Sequence, residues 1–245
     1  AFLILRALLT GKEKYCLRLS EIRFDKRKAA GILKIGIPSA FQYSLFAFAN
    51  LFVQSSVNSF DHVLVEGNSA AANADPLVYD MMAAFYTACS SFIAQNFGAR
   101  KKKRILQTYL ICLFYSFITS LVLGVGIYLA RYPFLYLFTS DKAVVEAGIT
   151  RLSIMALSYS ASAFMDASIA ASRGLGKTAV PTFVVVMGSC VFRIIWIYTI
   201  FAYFHTIQSL YILYVFSWGI TAIAENIYFF HVYRHTLTGK TESHF

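Results

Sequence analysis

The stretch Ser172-Arg173-Gly174-Leu175-Gly176-Lys177-Thr178-Ala179-Val180-Pro181 decides the fold, because it separates two long apolar runs. These runs cover residues 145–171 and 179–203, and each could cross a bilayer as a helix, which takes about 20 apolar residues. The two glycines allow a tight reversal, the two cations favour the cytoplasmic side, and a proline is tolerated near the start of a helix. The stretch therefore predicts a helical hairpin with a cytoplasmic turn.

The composition is that of an integral membrane protein. Of the 245 residues, 58% are hydrophobic and 14% are charged, whereas a soluble domain carries about 25% charged residues. The short connections between the apolar runs are typical of antiparallel neighbours in a bundle. The expected fold class is an all-α membrane bundle of six transmembrane helices. We predict the helices at residues 35–60, 69–97, 105–130, 145–171, 179–203 and 207–233.

The segments outside these helices predict the organisation of the chain. Residues 1–10 form an apolar stub too short to span, which we interpret as the end of a preceding transmembrane helix. Residues 11–34 are basic and predict a cytoplasmic linker. Residues 35–233 then form the six-helix lobe, and residues 234–245 form a cytoplasmic tail. On this interpretation the sequence is a fragment of a longer protein.

The distribution of basic residues predicts the orientation. Eighteen of the 22 Lys and Arg residues fall on one side of the predicted membrane, many of them in residues 6–34 and 100–104. Only Arg131 and Lys142 fall on the other side. The positive-inside rule then places both termini in the cytoplasm, in a plasma membrane such as the bacterial inner membrane. The net charge of +10 fits contact with the lipid bilayer, and we expect no nucleic-acid partner.

Polar side chains at helical spacing predict a wet cavity inside the bundle. Four amides recur at intervals of eight, four and four residues in the first predicted helix, so they share one face. Each amide could instead hold helices together. The candidates for lining the cavity are Gln42, Tyr43, Asn50, Gln54, Asn58, Asn73, Tyr79, Tyr86, Ser162 and Trp218.

Acids at membrane depth are costly, so each one is a functional candidate by default. Asp166 is the main candidate for coupling an ion, and Asp75, Asp80 and Glu225 are the others. Arg193 is the lone base of its run and the candidate charge partner of Asp166, although each of the two could instead face a water-filled cavity or the protein interior.

Enzyme chemistry has no residue pattern to support it. The cysteines and histidines lack metal-ligand spacing, and no catalytic triad or paired carboxylates stand out, so we expect no metal, no cofactor and no enzyme activity. The tripeptide Gly176-Lys177-Thr178 resembles the end of a phosphate-binding loop. That loop needs a glycine where this chain has Ala171, and it follows a strand rather than a membrane helix.

Seven short motifs occur in the order seen in the multidrug and toxic compound extrusion (MATE) family, which the chain resembles from about residue 34 to about residue 233. They are GIP (36–38), NSF (58–60), AAAN (70–73), QNFGAR (95–100), LFTSD (137–141), SRGLGKTAVP (172–181) and FRIIW (192–196). Each motif is weak alone, but seven in the same order are specific.

The resemblance implies a lobe of a transporter. Members have twelve helices in two six-helix lobes around a shared cavity, so this chain looks like the C-terminal lobe and its partner would be the missing N-terminal lobe. Some members carry a cation-coupling glutamate on the helix that begins with GIP, where this chain has no acid and Gln42 is the nearest polar residue. Others carry an aspartate on the helix before the RGLG turn, where Asp166 lies.

Three functions remain open at this point. The leading hypothesis is a secondary antiporter that exports amphipathic or cationic organic compounds, such as drugs or metabolites, in exchange for Na⁺ or H⁺. The second is a lipid-linked oligosaccharide flippase of a related superfamily, which would need a cation-lined cavity. The third is a membrane scaffold or binding fragment that does not transport.

Overall fold

A computed structural model describes residues 23–236, together with Arg6 and Leu9. The other residues of the predicted stub, residues 11–22 of the predicted linker and the tail beyond residue 236 lie outside this described part. Within it, six helical spans are long and apolar enough to cross a membrane, as predicted. In chain order the helices are α1 (Lys26–Val57), α2 (His62–Ala72), α3 (Ala74–Gly98), α4 (Lys102–Leu129), α5 (Arg131–Tyr136), α6 (Lys142–Gly174), α7 (Ala179–Phe204) and α8 (Ile207–His235). Helices α2 and α3 together form the second span.

Four of the spans begin earlier than the apolar runs predict, and at three of these an aspartate caps the helix before the run starts. Asp25 accepts hydrogen bonds from the backbone N–H groups of residues 27 and 28 at the start of α1. Asp61 accepts one from Leu64 N at the start of α2, and Asp141 accepts one from Ala143 N at the start of α6. Hydropathy locates the membrane part of a helix, whereas capping decides where the helix begins.

The second span is interrupted at Asn73, three residues before Pro76. Asn73 separates α2 from α3, and its side-chain amide donates to the carbonyl oxygens of Ser69 and Ala70 at 3.1 Å. Pro76 lies in the first turn of α3, where its missing N–H leaves no hydrogen bond broken. The side chain of Asn73 therefore caps the end of α2 and makes no capping hydrogen bond to α3.

Helix α6 is the centre of the bundle. In its most apolar stretch 67% of the residues are buried, against 12% in α1. Its buried residues are mostly small, with many alanines and serines, and they lie between helices on several sides. Small residues allow membrane helices to approach closely, and close packing drives helix association in lipid.

Glycines mark the closest approaches to α6. A side chain at Gly124 of α4 would lie 2.2 Å from the carbonyl oxygen of Ala156. A side chain at Gly67 of α2 would meet the backbone of Gly148 at 2.8 Å. At the other end of α6, Gly174 lies against the Ser90 carbonyl of α3. Backbone contact at these three heights fixes the position of α6 along its length.

The hairpin of α6 and α7 forms as predicted. Gly176 has a φ of +74°, which glycine adopts without strain, and Lys177 N donates to Ser172 O to close the turn. We call the end of the bundle that carries this turn the turn end, and the opposite end the far end. Helix α7 contains two π-helical segments, Val186–Val191 and Ile197–Phe201, a feature frequent at functional sites.

The glycine contacts lead to a prediction about stability. We expect Gly124→Val to lower the free energy of unfolding by about 2 kcal/mol, because the new side chain must displace the backbone of α6. Gly126→Val is the matched control, since a side chain there meets nothing within 4 Å. Thermal unfolding in detergent measures both variants, and an equal effect of the two would show that α4 does not depend on this contact.

Candidate functional site

A cavity of about 490 Å³ opens in the bundle and is lined by residues of α1, α2, α3, α6, α7 and α8. Four charged residues line it: Asp75, Arg151, Asp166 and Arg173. The remaining lining residues are Gln42, Tyr43, Phe46, Asn50, Val53, Gln54, Val57, Asn68, Ala72, Tyr79, Tyr86, Met155, Met165, Ile169, Ala170, Val185, Tyr211, Tyr214 and Trp218. Helix α4 contributes none of these residues, in keeping with its nearly apolar sequence.

An ion pair joins α3 to α6 at the cavity wall. Arg151 Nη2 lies 2.6 Å from Asp75 Oδ2, and Arg151 Nη1 donates to Asn68 Oδ1 at 2.9 Å. The Tyr159 hydroxyl donates to the second oxygen of Asp75. Both oxygens of this carboxylate are therefore engaged, and the charge of Arg151 is balanced where it lies.

Arg193 is fully buried beside the cavity and is held by neutral groups. Its Nη1 donates to Asn50 Oδ1 at 2.6 Å, and its Nε donates to Ser217 Oγ at 3.4 Å. The guanidinium also lies 4.5 Å from the ring centroid of Phe46 and 4.6 Å from that of Tyr214, which are cation–π distances. An amide, a hydroxyl and two aromatic faces thus replace a counter-ion.

The predicted pairing of Asp166 with Arg193 is wrong, because no carboxylate of the described chain lies within ion-pairing distance of Arg193. The two residues do not pair because they lie at different depths in the bundle. Asp166 lies eight residues before the end of α6, and Arg193 lies fourteen residues after the start of α7. At 1.5 Å per residue this places Arg193 about 9 Å further from the turn than Asp166.

Arg173 organises the cavity at the turn end. Its Nη2 donates to Gln42 Oε1 at 2.9 Å, and the hydroxyl of Thr182 donates to the same oxygen at 3.3 Å. Its guanidinium also lies 5.8 Å from the ring centroid of Tyr43. The residue predicted as a topology signal in the turn therefore ties α6 to α1.

Asp166 is the charged lining residue that has no partner. Among residues 23–236 the structure shows no hydrogen bond and no ion pair to its carboxylate. Arg173 lies seven residues further along α6, two turns away on the same face, but its donor is directed to Gln42. The cavity thus contains one carboxylate that is free to meet a ligand.

Aromatic and sulfur-containing side chains form much of the remaining wall. The indole of Trp218 packs edge-on against Tyr79 at 6.1 Å and lies 5.3 Å from the ring of Tyr214. Met155 and Met165 line the same space. Flexible methionines and rigid aromatic faces suit ligands of varied shape, and the volume is in the range of small-molecule sites.

Several donors on this wall have no acceptor in the described part of the chain. They are Arg151 Nε, Arg173 Nε, Tyr211 OH and Trp218 Nε1. A buried donor without an acceptor is costly, so water or a ligand oxygen is the physical complement of each one. The cavity is therefore equipped for oxygen-bearing ligands as well as for cations.

The structure brings seven of the ten predicted cavity residues to the wall: Gln42, Tyr43, Asn50, Gln54, Tyr79, Tyr86 and Trp218. The other three do not line this cavity. Asn58 lies past the end of α1 and accepts a hydrogen bond from Gln54, and Asn73 caps α2. Ser162 donates to the Tyr159 carbonyl inside α6.

Two of the four predicted coupling acids line the cavity and two do not. Asp75 and Asp166 line the cavity, whereas Asp80 is exposed on α3, outside the cavity wall. Glu225 is fully buried in α8 but does not reach the cavity, and neither of its oxygens has a partner among the described residues. Neither Asp80 nor Glu225 can contact a ligand in this cavity.

Sequence reasoning missed Arg151, Asn68 and Arg173 as cavity residues. Arg151 was visible as a base inside a predicted span, but its partner Asp75 is 76 positions away and no local spacing connects them. Among the described residues, no group of three or more His, Cys, Asp or Glu side chains could hold a metal ion.

Comparison with known proteins agrees with this architecture. The MatE family model matches residues 38–199. A MOP superfamily transporter from Pyrococcus furiosus is 19% identical, with a TM-score of 0.86 over 98% of this chain and 54% of its own. An outward-facing multidrug resistance MATE family transporter is also 19% identical, with a TM-score of 0.85 over 96% of this chain and 53% of its own. No curated protein sequence matches the chain.

Among the described residues, six helical spans have the length and composition to cross a membrane, and five of them line a cavity that carries charged and amide side chains. The chain belongs to the MatE family, whose members are transporters and not enzymes, so the predicted resemblance is confirmed. It spans about half the length of the solved transporters that it matches.

The environment of Arg193 leads to a second prediction. We expect Asn50→Leu to destabilise the protein by about 2 kcal/mol, because it removes the strongest acceptor of a buried guanidinium. Gln54→Leu is the control on the same helix, since it removes only an exposed hydrogen bond to Asn58. Purified yield and thermal unfolding report the difference, and adding Arg193→Met to Asn50→Leu should restore stability. Equal behaviour of the two single variants would contradict a structural role for Asn50.

Proposed function

We propose that the chain forms one lobe of a secondary active exporter for amphipathic, cationic organic compounds, driven by exchange with Na⁺ or H⁺. The observation that carries this proposal is Asp166, a carboxylate on the cavity wall without a partner in the described part of the chain. An unpaired negative charge at membrane depth is costly, so it favours any state in which a cation or a proton neutralises it.

Exchange follows from competition for this one charge. When a coupling ion occupies Asp166, a cationic substrate has lost its counter-charge, and when the substrate occupies it, the ion is excluded. If the cavity opens alternately to the two sides of the membrane, each side can load a different cation. The aromatic and methionine wall then provides apolar contact for the body of the substrate.

The other acids are less suited to this role. A cation at Asp75 must displace Arg151 and the Tyr159 hydroxyl, which already occupy both carboxylate oxygens. Asp80 and Glu225 lie outside the cavity wall. Asp166 therefore remains the proposed coupling residue, and the rest of the cavity wall would come from the other lobe of the transporter.

The charge of Asp166 can be removed without changing its size. In the complete transporter we expect Asp166→Asn to abolish ion-driven efflux while protein abundance stays normal, and Asp166→Glu to keep part of the activity. Asp80→Asn is the control, because it removes an exposed acid from the neighbouring helix α3. Efflux is measured in vesicles with an imposed Na⁺ or H⁺ gradient. Full efflux by the Asn variant would end the coupling role of Asp166.

A second candidate function is the flipping of a lipid-linked oligosaccharide. Two arginines line the cavity, and four buried donors on its wall lack acceptors, which suits a phosphate-bearing or sugar-bearing ligand. The same vesicles separate the two functions. Gradient-dependent movement of organic cations supports the exporter. Movement of a lipid-linked sugar, with no movement of organic cations, supports the flippase.

We also propose that the turn end faces the cytoplasm, in a plasma membrane such as the bacterial inner membrane. This orientation rests on the distribution of basic residues, since the basic run 100–104 and the 172–181 turn lie at the same end.

Cysteine labelling tests the orientation. In a cysteine-free variant of the complete protein, we expect a membrane-impermeant reagent to label Glu66→Cys in intact cells and Lys103→Cys only in opened cells. Both side chains are exposed, at the far end and the turn end respectively. The opposite pattern would invert the orientation and leave the fold unchanged.

A further inference from the structure

The basic run 100–104 joins α3 to α4, and its cations do not take part in the cavity. A separate cleft of about 500 Å³ lies between these two helices at the turn end. Its wall contains Phe92, Gln95, Asn96 and Ala99 from the α3 side, and Lys101, Arg104, Gln107, Thr108 and Ile111 from the α4 side.

The two sides of the cleft have matching periodicity. Positions 92, 95, 96 and 99 are spaced i, i+3, i+4 and i+7, and so are positions 104, 107, 108 and 111. Each set therefore occupies one face of its helix. Because α3 and α4 are antiparallel neighbours, the first residue of one set lies towards the same end of the cleft as the last residue of the other.

This pairing divides the cleft into three levels. Lys101 and Arg104 are at the mouth, next to Ala99. The middle level has only amides and a hydroxyl, from Gln95, Asn96, Gln107 and Thr108. Phe92 and Ile111 form the deepest level, and both are more than half exposed on the outer surface of the bundle. The wall contains no acid, so the charge at the mouth is not balanced from within the cleft.

Only part of the basic run points into this cleft. Lys102 is turned towards α8, where its Nζ donates to the Arg234 carbonyl at 2.8 Å and lies 5.2 Å from the ring centroid of Tyr233. Lys103 is exposed outside the cleft wall, as is Arg100. Lys101 is also the N-cap of α4 and makes no side-chain capping bond, so the positive end of this helix adds to the charge at the mouth.

An exposed apolar track continues from the deepest level along α4. It consists of Ile111, Phe114, Ile118 and Val122, which recur at helical spacing on one side of the helix and are all exposed. In a membrane helix such a track faces the acyl chains of the lipid.

We propose that this cleft binds one anionic phospholipid. Its phosphate would lie between Lys101 and Arg104, its glycerol and ester oxygens would meet the amides and the hydroxyl, and an acyl chain would follow the track from Ile111. A cation pair, a band of neutral polar groups and an apolar surface occur in the same order as the phosphate, the glycerol and ester groups, and the acyl chain of a phospholipid. Basic pockets between membrane helices on the cytoplasmic side are suited to acidic headgroups. The leaflet depends on the orientation proposed above, whereas the site itself does not.

Binding of phosphatidylglycerol to the complete protein, delipidated in neutral detergent, tests this proposal by native mass spectrometry. We expect the double variant Lys101→Gln/Arg104→Gln to weaken binding about tenfold or more, because two cations next to the phosphate are lost. The double variant Arg100→Gln/Lys103→Gln removes the same charge from the same run but leaves the cleft wall intact. We expect it to weaken binding less than about threefold, through general attraction alone. Thermal unfolding without lipid checks that both variants fold.

Three results would overturn the proposal. Equal weakening by the two double variants would mean that the run attracts anionic lipid only as a diffuse charge. Equal binding of phosphatidylcholine and phosphatidylglycerol would remove the role of the two cations. Equal stabilisation by inorganic phosphate, or by soluble glycerophosphoglycerol, would assign the mouth to a free anion and exclude a role for the acyl track. None of these results depends on transport, so they are independent of the proposed export function.

Discussion

The close packing of α6 against its neighbours is the contact on which the rest of the structure depends. Glycine backbones of α2 and α4 lie against α6 at two heights, and its own Gly174 lies against α3 at a third. Lipid offers no hydrophobic drive for helices to associate, so this contact must come from fit between small residues. Because the small residues of α6 pack against its neighbours, three of its charged residues, Arg151, Asp166 and Arg173, can face the cavity.

The hydrogen bonds and the ion pair of the three arginines at or beside the cavity go to groups other than Asp166. Arg151 takes Asp75 as its counter-ion, whereas Arg193 takes Asn50, Ser217 and two aromatic faces. Arg173 donates to the amide oxygen of Gln42 on α1. Because each of these arginines bonds to another group, none of them forms an ion pair with Asp166, and the carboxylate remains available for a cation.

The fold was predictable from the sequence because lipid imposes a simple rule on it: about 20 apolar residues make a span. The helix starts were less predictable, since Asp25, Asp61 and Asp141 begin helices before the apolar residues do. The cavity wall was predictable where one helix carries the whole pattern, as for Gln42, Asn50 and Gln54. Pairing between helices was not predictable, because the depth of Asp166 and Arg193 and the contact of Asp75 with Arg151 depend on how distant segments align.

The most restrained helix of the cavity wall is α6, and the least buried is α1. Three of the four charged lining residues lie on α6, whose height and rotation are fixed by backbone contact. Helix α1 forms the facing wall and is the least buried of the spans. Gln42 of α1 accepts hydrogen bonds from Arg173 and Thr182, and Asn50 accepts one from Arg193. The Pro38 carbonyl accepts a further hydrogen bond from Thr182. A cation that arrives at Asp166 changes the field acting on Arg173, two turns away on the same face. The charge on α6 is thus connected to the position of α1 through one arginine and one amide.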